Sequence, residues 1–291
     1  MLLLTMAISA SAAAQKRRAP ARPDPAPDSK EGRGAVAGGG KQLYDLSRLR
    51  LVDLTHDLSA TTTAWPGSQQ GFQLDTITAG RNKQGNYAAM FAISTPEHFG
   101  THLDAPHHFS ERGATPAQIP LWRLMAPAVV IDVSDSARLN RDYVLTVDDL
   151  RRFETEHGQI PPRSIVLLRT GYAAAWTDRA RYFGWDSTVT PVQLHFPSLG
   201  EAAVTFLIAE RRVAAVGVDV ASTDAGAATG YPVHRLLAEA GIPGFENLAD
   251  LSDLPPKGAF VVALTPRIVG GSGGPLRAVA LVPAPERADR R

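Results

Sequence analysis

The sequence contains a dense group of histidines between residues 98 and 108. Four of the eight histidines in this 291-residue chain lie within this run, which reads HFGTHLDAPHH, and one carboxylate, Asp104, stands among them. Imidazole and carboxylate groups bind first-row divalent metals, and histidine also transfers protons near neutral pH. This combination of residue types indicates a metalloenzyme.

The spacing of the run favours an extended segment over a helix, because Gly100 and Pro106 interrupt it and Pro96 precedes it. Residues two apart share a face of an extended segment, so His102 and Asp104 should point the same way. Gly100 lets the backbone fold closely enough for His98 to join them. Two imidazoles and one carboxylate leave coordination positions open, which is typical of a catalytic metal site.

Four more residues are candidates for the same site. His107 and His108 follow directly, and spacing alone does not decide which of them binds metal, transfers a proton or packs. His234 lies early in a predicted helix, and Glu246 lies in a predicted loop. Either of these two could complete the ligand set.

Composition argues against several other classes of function. The formal net charge is +1 and no basic stripe is interleaved with aromatic residues, which argues against a nucleic-acid partner. The absence of cysteine excludes a disulfide framework, a thiolate zinc site and a cysteine nucleophile. Residues 270–274 read GGSGG and match the letters of G-x-S-x-G, but they lie in a glycine-rich turn near the C-terminus and predict no nucleophile elbow, so we expect Ser272 to be an ordinary loop residue. A serine hydrolase therefore has little support.

The chain divides into three parts by composition. Residues 1–14 form an apolar run ending in small residues, which predicts an export signal that is too short to remain as a membrane span. Residues 15–40 are rich in Ala, Pro and Gly and predict a disordered tether. Residues 41–291 predict a single domain. We therefore expect a periplasmic or secreted protein, or a cytoplasmic one if the leader does not function.

Apolar periodicity in this domain predicts an α/β fold with many strands and few helices. The predicted strands cover residues 51–54, 72–78, 88–94, 128–133, 165–168, 213–218, 260–264 and 278–282. The predicted helices cover residues 146–157, 198–212 and 231–241. Ser198 and Glu201 have the spacing of a capping box at the start of the second helix. The aromatic segment 172–197 has little period and is either an active-site cover or a packed excursion.

Several sequence blocks occur in an order that matches a known family. They are HFGTHLDAPHHF at 98–109, DLTH at 53–56, AWPG at 64–67, RTG at 169–171, GVD at 217–219, PVH at 232–234 and FENL at 245–248. Together they resemble the metal-dependent cyclase-type hydrolases, the family of bacterial kynurenine formamidase and isatin hydrolase. The resemblance spans residues 45–285.

The resemblance implies a centre with two divalent ions, either zinc or manganese. His98 and His102 match ligands of the first ion, and His234 matches a ligand of the second. Asp104 and Glu246 match carboxylates that bridge the two ions.

The resemblance also implies roles around the metals. His108 matches the catalytic acid/base, and Trp65 matches an aromatic residue that lines the substrate pocket, whereas His107 has no family role. The implied fold is the β-rich swivelling β/β/α domain of the cyclase type, as a single domain, in a homo-oligomer.

The predicted function is hydrolysis of an amide C–N bond in a small-molecule substrate. The family relationship favours an arylformamidase acting on N-formylkynurenine-like substrates. A hydrolase of cyclic amides such as isatin is the alternative within the class. The alternative of a different class is a non-catalytic exported metal-binding protein, for which His108 and Trp65 have no obvious use.

Overall fold

The computed structural model describes residues 48–185 and 193–283. All of these fall within the domain predicted for residues 41–291, and the predicted export signal and tether lie outside them. None of the helices in the described ranges combines the length and apolarity needed to cross a bilayer.

A large mixed sheet dominates the domain. The strands are β1 Leu49–Asp53, β2 Gln73–Arg81, β3 Tyr87–Ser94, β4 His102–Asp104, β5 Met125–Asp132, β6 Val144–Leu145, β7 Ile165–Arg169, β8 Ser198–Leu199, β9 Ala215–Val218, β10 Gly244–Glu246, β11 Lys257–Leu264, β12 Gly273–Pro275 and β13 Arg277–Pro283. Nine of them form one sheet in the order β1-β13-β11-β5-β7-β9-β10-β4-β12. The strands β5, β7, β9 and β10 run parallel to their neighbours in that series, and the other pairs are antiparallel.

All but the first of the helices lie in the connections between the parallel strands, and the first helix precedes β5. The helices are α1 Leu121–Leu124, α2 Ser134–Leu139, α3 Val147–His157, α4 Arg179–Phe183, α5 Glu201–Phe206 and α6 Pro232–Glu239, with 3₁₀ turns at Pro106–His108 and Tyr172–Ala175. Helix α3 begins as predicted, because Thr146 and Asp149 form a reciprocal capping box.

The central strands bury both of their faces. In β7, Val166 and Leu168 pack on the helical side, whereas Ile165 and Leu167 pack in a second cluster on the other side. That second cluster also contains Leu103 of β4 and strand residues near the opposite end of the sheet. The sheet therefore curls around it, and the predicted β-rich α/β domain of the cyclase type is confirmed.

The predicted start of the second helix is wrong. Ser198 lies in β8, which pairs with β6, and its hydroxyl donates to the carbonyl oxygens of Ser222 and Thr223 at 2.6 and 2.9 Å. Gly200 precedes α5 without a side-chain cap. The hydroxyl is thus used to hold the loop after β9, and tertiary contacts override the local capping signal.

The aromatic segment 172–197 is mainly a packed excursion. Tyr182, Phe183 and Phe196 are fully buried in the helical-side core. Residues 186–192 of this segment lie outside the described residues. Phe183 also lines the cleft discussed below, so the segment contributes to the cleft wall as well.

A buried carboxylate joins the carboxyl ends of β7 and β9. Asp219 accepts hydrogen bonds from the backbone amide and hydroxyl of Thr170, both at 2.7 Å, and from the amide of Gly171 at 2.9 Å. It is 0% exposed. These bonds satisfy backbone donors at the point where β7 ends, and they explain why the RTG and GVD blocks occur together.

We expect Asp219→Asn to lower the free energy of unfolding by about 1–3 kcal/mol, because an amide nitrogen would face one of these buried N–H donors and leave it unsatisfied. Urea unfolding followed by circular dichroism measures the change. Asp250→Asn is the control, since Asp250 makes similar bonds to Ser252 in an exposed turn. Equal stability of the two variants would contradict the expectation.

Candidate metal centre

Two short neighbouring strands carry three of the predicted ligands. His102 of β4 lies directly opposite Glu246 of β10, and Asp104 lies two residues further along β4. The intervening Leu103 is opposite Phe245, and both are completely buried in the core. The expected extended conformation is confirmed, since its two-residue period turns His102 and Asp104 to one face.

The turn before β4 brings His98 to the same place. Gly100 has φ +63°, a conformation that favours glycine. Its carbonyl oxygen accepts a hydrogen bond from His102 Nδ1 at 2.9 Å. His98 folds back so that its Nδ1 lies 2.6 Å from Asp104 Oδ1.

Helix α6 supplies His234 from the other side. Pro232 starts the helix, and Asp224 accepts hydrogen bonds from the backbone amides of Val233 and His234 at 2.8 and 3.1 Å. The same carboxylate lies 2.6 Å from His234 Nδ1. Asp224 therefore fixes both the start of the helix and the orientation of the imidazole.

All five predicted ligands converge in space. Asp104 Oδ1 lies 3.2 Å from His102 Nε2 as well as close to His98, and Asp104 Oδ2 lies 2.9 Å from His234 Nε2. Glu246 Oε1 lies 3.1 Å from His234 Nε2, and its Oε2 lies 3.5 Å from His102 Nε2. Asp104 and Glu246 thus both lie between pairs of imidazoles.

The hydrogen-bond partners of the imidazoles indicate that a cation belongs here. His102 Nδ1 must donate to the Gly100 carbonyl and His234 Nδ1 to the Asp224 carboxylate, because neither partner has a proton to give. The Nε2 atom of each neutral ring therefore turns a lone pair toward the two carboxylates. A lone pair on Nε2 and a carboxylate oxygen repel each other unless a cation binds between them. In metal-ligating histidines the nitrogen that does not bind the metal, here Nδ1, is typically held by a hydrogen bond of this kind. The donor set fits a divalent metal.

The electrostatics of the centre agree with this. Burial disfavours a charge on His102, but the hydrogen bond and charge of Asp104, together with Glu246, outweigh it and raise the pKa of His102 to about 9. Although burial disfavours its charge as well, the pKa of His234 is raised well above its usual value by Asp104 and other nearby carboxylates. The buried carboxylates therefore favour positive charge at Nε2 of both rings, supplied either by a proton or, on the neutral rings, by a metal ion.

His108 lies at the edge of the centre and opens to the cleft. Its ring stacks on His98 with centroids 3.8 Å apart, and one of its nitrogens lies within 4.8 Å of ligand atoms of His98 and Asp104. Desolvation at the cleft wall lowers the pKa of His108 to about 4. The ring is therefore neutral at pH 7 and has a lone pair for accepting a proton. The neighbouring His107 does not line the cleft.

A cleft of about 310 Å³ opens onto the ligands. Trp65 forms part of its wall, with its ring edge-on to Phe183 and Phe196 at centroid distances of 5.8 and 6.2 Å. Trp65 is 39% exposed, so one side of the indole is free to contact a ligand. The structure therefore places Trp65 beside the candidate metal ligands, as expected from the sequence.

Two supporting residues were not predicted as part of the site. Asp224 contacts His234 from the other end of an intervening loop, and a spacing of this kind has no helical or strand period from which the contact could be predicted. Asn247, with φ +53°, donates to the Gly100 carbonyl at 3.0 Å and accepts from the fully buried Tyr182 hydroxyl at 2.8 Å. The FENL block contains Asn247, but an asparagine in a predicted loop does not by itself indicate that its side chain supports the turn at Gly100.

Comparison with known proteins identifies the family. The family model named Cyclase matches residues 52–225. The chain belongs to the cyclase family. Isatin hydrolase from Roseibium aggregatum is 36% identical over 196 residues, covering 64% of this chain and 72% of that protein. Kynurenine formamidase from Salinibacter ruber is 32% identical over 234 residues, covering 79% and 97% of the two chains.

A solved structure of a similar protein has the same fold as this chain. Isatin hydrolase A from Ralstonia solanacearum superposes with a TM-score of 0.74 at 36% identity, covering 81% of this chain and 93% of that one. Because these relatives are hydrolases, the chain is a metal-dependent hydrolase of the cyclase family, and the alternative of a non-catalytic metal-binding protein is not supported.

Proposed function

We propose that the protein hydrolyses the C–N bond of aryl amides, with N-formylkynurenine-like formamides as substrates and two ions, zinc or manganese, as cofactors. The observation that carries the proposal is the convergence of five buried metal-ligand side chains beside a cleft with an aromatic wall. Similarity to kynurenine formamidase over most of the chain supports the substrate class.

The ligand residues would be His98, His102 and Asp104 for one ion and His234 for the other, with Asp104 and Glu246 shared. A divalent ion held by these residues would polarise a carbonyl and make a bound water more acidic. His108, neutral and open to the cleft, takes a proton from the attacking water and returns it to the leaving nitrogen. Trp65 offers a flat surface for an aryl ring.

A cyclic amide such as isatin is the second candidate substrate, favoured by the charge of the cleft. Among the described residues, those lining the metal-side cleft include no lysine or arginine. N-formylkynurenine carries the charged carboxylate and ammonium groups of an amino acid, whereas isatin is a neutral ring, which needs no charged partner in the cleft. The isatin hydrolase relatives support this candidate as well.

One experiment separates these substrates. The protein is stripped with a chelator, reloaded with Zn²⁺ or Mn²⁺, and assayed for formate release from N-formylkynurenine and for ring opening of isatin. Activity on either substrate that depends on the added ion supports the proposed chemistry, and the faster reaction selects the substrate. Absence of metal-dependent hydrolysis of both substrates would contradict it.

We further propose a homo-oligomer assembled through the β2–β3 ribbon. Every residue of both strands is exposed, although the strands carry large apolar side chains. Leu74 lies opposite Ile93, and Phe91 shares their face. An isolated two-stranded ribbon is marginally stable in water, and a second copy of the same patch would cover it.

We expect the double variant Leu74→Lys/Ile93→Glu to lower the assembly size, because it removes the apolar pair while opposite charges preserve the cross-strand contact. Light scattering after size exclusion measures the mass. Val269→Lys is the control, as Val269 is 86% exposed outside the ribbon. A monomeric wild type, or an unchanged mass of the double variant, would contradict the proposal.

Export is a further proposal, supported by the apolar run at residues 1–14. Cell fractionation with N-terminal sequencing of the mature protein tests it. Cleavage after the small residues near position 14 supports export, and an intact cytoplasmic chain contradicts it.

A further inference from the structure

A chain of hydrogen bonds leads from His98 away from the metal centre. His98 Nε2 lies 2.9 Å from the Ser272 hydroxyl oxygen. That hydroxyl lies 2.6 Å from Glu97 Oε2, and the Ser272 backbone amide donates to the same oxygen at 2.9 Å. Ser272, expected from the sequence to be an ordinary loop residue, therefore contacts a candidate metal ligand.

The chemistry of the three groups fixes the direction of these bonds. The amide of Ser272 and its hydroxyl both donate to Glu97, because an ionised carboxylate can only accept. The hydroxyl oxygen is then the acceptor for His98 Nε2–H. His98 Nδ1 is consequently left with a lone pair directed at the metal position next to Asp104.

The backbone around Ser272 is shaped for this contact. A side chain at Gly271 would collide with the Glu97 carboxylate, and a Cβ at Gly273 would lie 2.6 Å from His98 Cε1. Strand β12 begins at Gly273 and pairs with β4, which carries Asp104. The GSGG sequence at 271–274 thus allows the strand to approach the imidazole closely enough for Ser272 to reach it.

We propose that Ser272 and Glu97 are positioning residues that hold His98 in the tautomer and orientation required for binding metal through Nδ1. This inference rests on the metal centre of the proposed function and extends it to two residues that neither belong to the five ligands nor line the cleft. The pair does for His98 what Asp224 does for His234. Such supporting bonds orient the ring and increase its basicity.

Metal affinity tests the inference directly. The full-length chain is stripped with a chelator and titrated with Zn²⁺ in the presence of a chromophoric competitor, and separately with Mn²⁺ by calorimetry. We expect Ser272→Ala to weaken binding of one ion by about 10–100-fold, in the range typical of lost supporting bonds. Ser272→Thr, which keeps the hydroxyl, should restore most of the affinity.

Further variants separate positioning from general damage to the fold. Ser252→Ala is the matched control, because Ser252 makes the same kind of bonds to Asp250 in a remote turn. Glu97→Ala should also weaken binding, and the double variant Glu97→Ala/Ser272→Ala should be little worse than Ser272→Ala, because both changes act through one hydroxyl. The visible spectrum of Co²⁺-loaded Ser272→Ala should differ from that of the wild type.

The outcomes distinguish the two levels of the proposal. Wild-type metal affinity in Ser272→Ala would overturn the positioning role while leaving the metal centre intact. Fully additive losses in the double variant would overturn the shared pathway through the hydroxyl. A wild-type chain that takes up neither ion would overturn the proposed function and this inference together.

Discussion

Replacing His108 by alanine is expected to lower kcat by about 10²–10⁴-fold, the usual contribution of a general acid/base. Metal content should stay near that of the wild type, because the five ligand side chains and their supporting hydrogen bonds are untouched. Steady-state kinetics with the better substrate, together with metal analysis of the purified variant, measures both quantities.

His107→Ala is the neighbouring control for this experiment. His107 also follows Pro106, but it does not line the cleft, so we expect its variant to keep wild-type turnover. The opposite assignment makes His108 a ligand, since one of its ring nitrogens lies within 4.8 Å of a ring nitrogen of His98 and a carboxylate oxygen of Asp104. Loss of an ion from His108→Ala, with unchanged activity per remaining metal, would establish that assignment instead.

Asp104→Ala is expected to lose both ions and reduce hydrolysis to background. Its Oδ1 faces His98 and His102, and its Oδ2 faces His234, so a single carboxylate serves both halves of the centre. Metal analysis after dialysis against a buffer of fixed free Zn²⁺, followed by an activity assay, tests this expectation.

Two comparisons make the Asp104 result specific. Asp253→Ala removes an exposed carboxylate that pairs with Arg50, and it should retain both ions. Circular dichroism of Asp104→Ala should match the wild type, because the strand still pairs with both neighbours. Full metal stoichiometry in Asp104→Ala would show that this carboxylate does not bridge.

The local part of the site could be predicted from the sequence because it depends on short-range geometry. The period of an extended strand places His102 and Asp104 on one face, and Gly100 permits the turn that returns His98. His234 and Glu246 come from distant segments, and local spacing left them only as candidates. Their assignment required the resemblance to a family.

The supporting residues could not be predicted, because their roles depend on contacts across the fold. Ser272 lies 174 residues beyond His98, and nothing in a glycine-rich turn indicates a histidine partner. Ser198 shows the converse error, in which a valid local capping pattern lost to tertiary hydrogen bonds. The three-residue strands β10 and β12 were missed because they are too short to show a periodic pattern, and β4 was predicted only as an extended segment around His102 and Asp104.

The brevity of β4 has a consequence for chain assembly. Its alternate residues face opposite ways, so a slip of one position against β10 would send Leu103 toward the ions and drive an imidazole and a carboxylate into the apolar interior. If the centre binds ions as proposed, their uptake during refolding should report the moment at which β4 and β10 reach their native register.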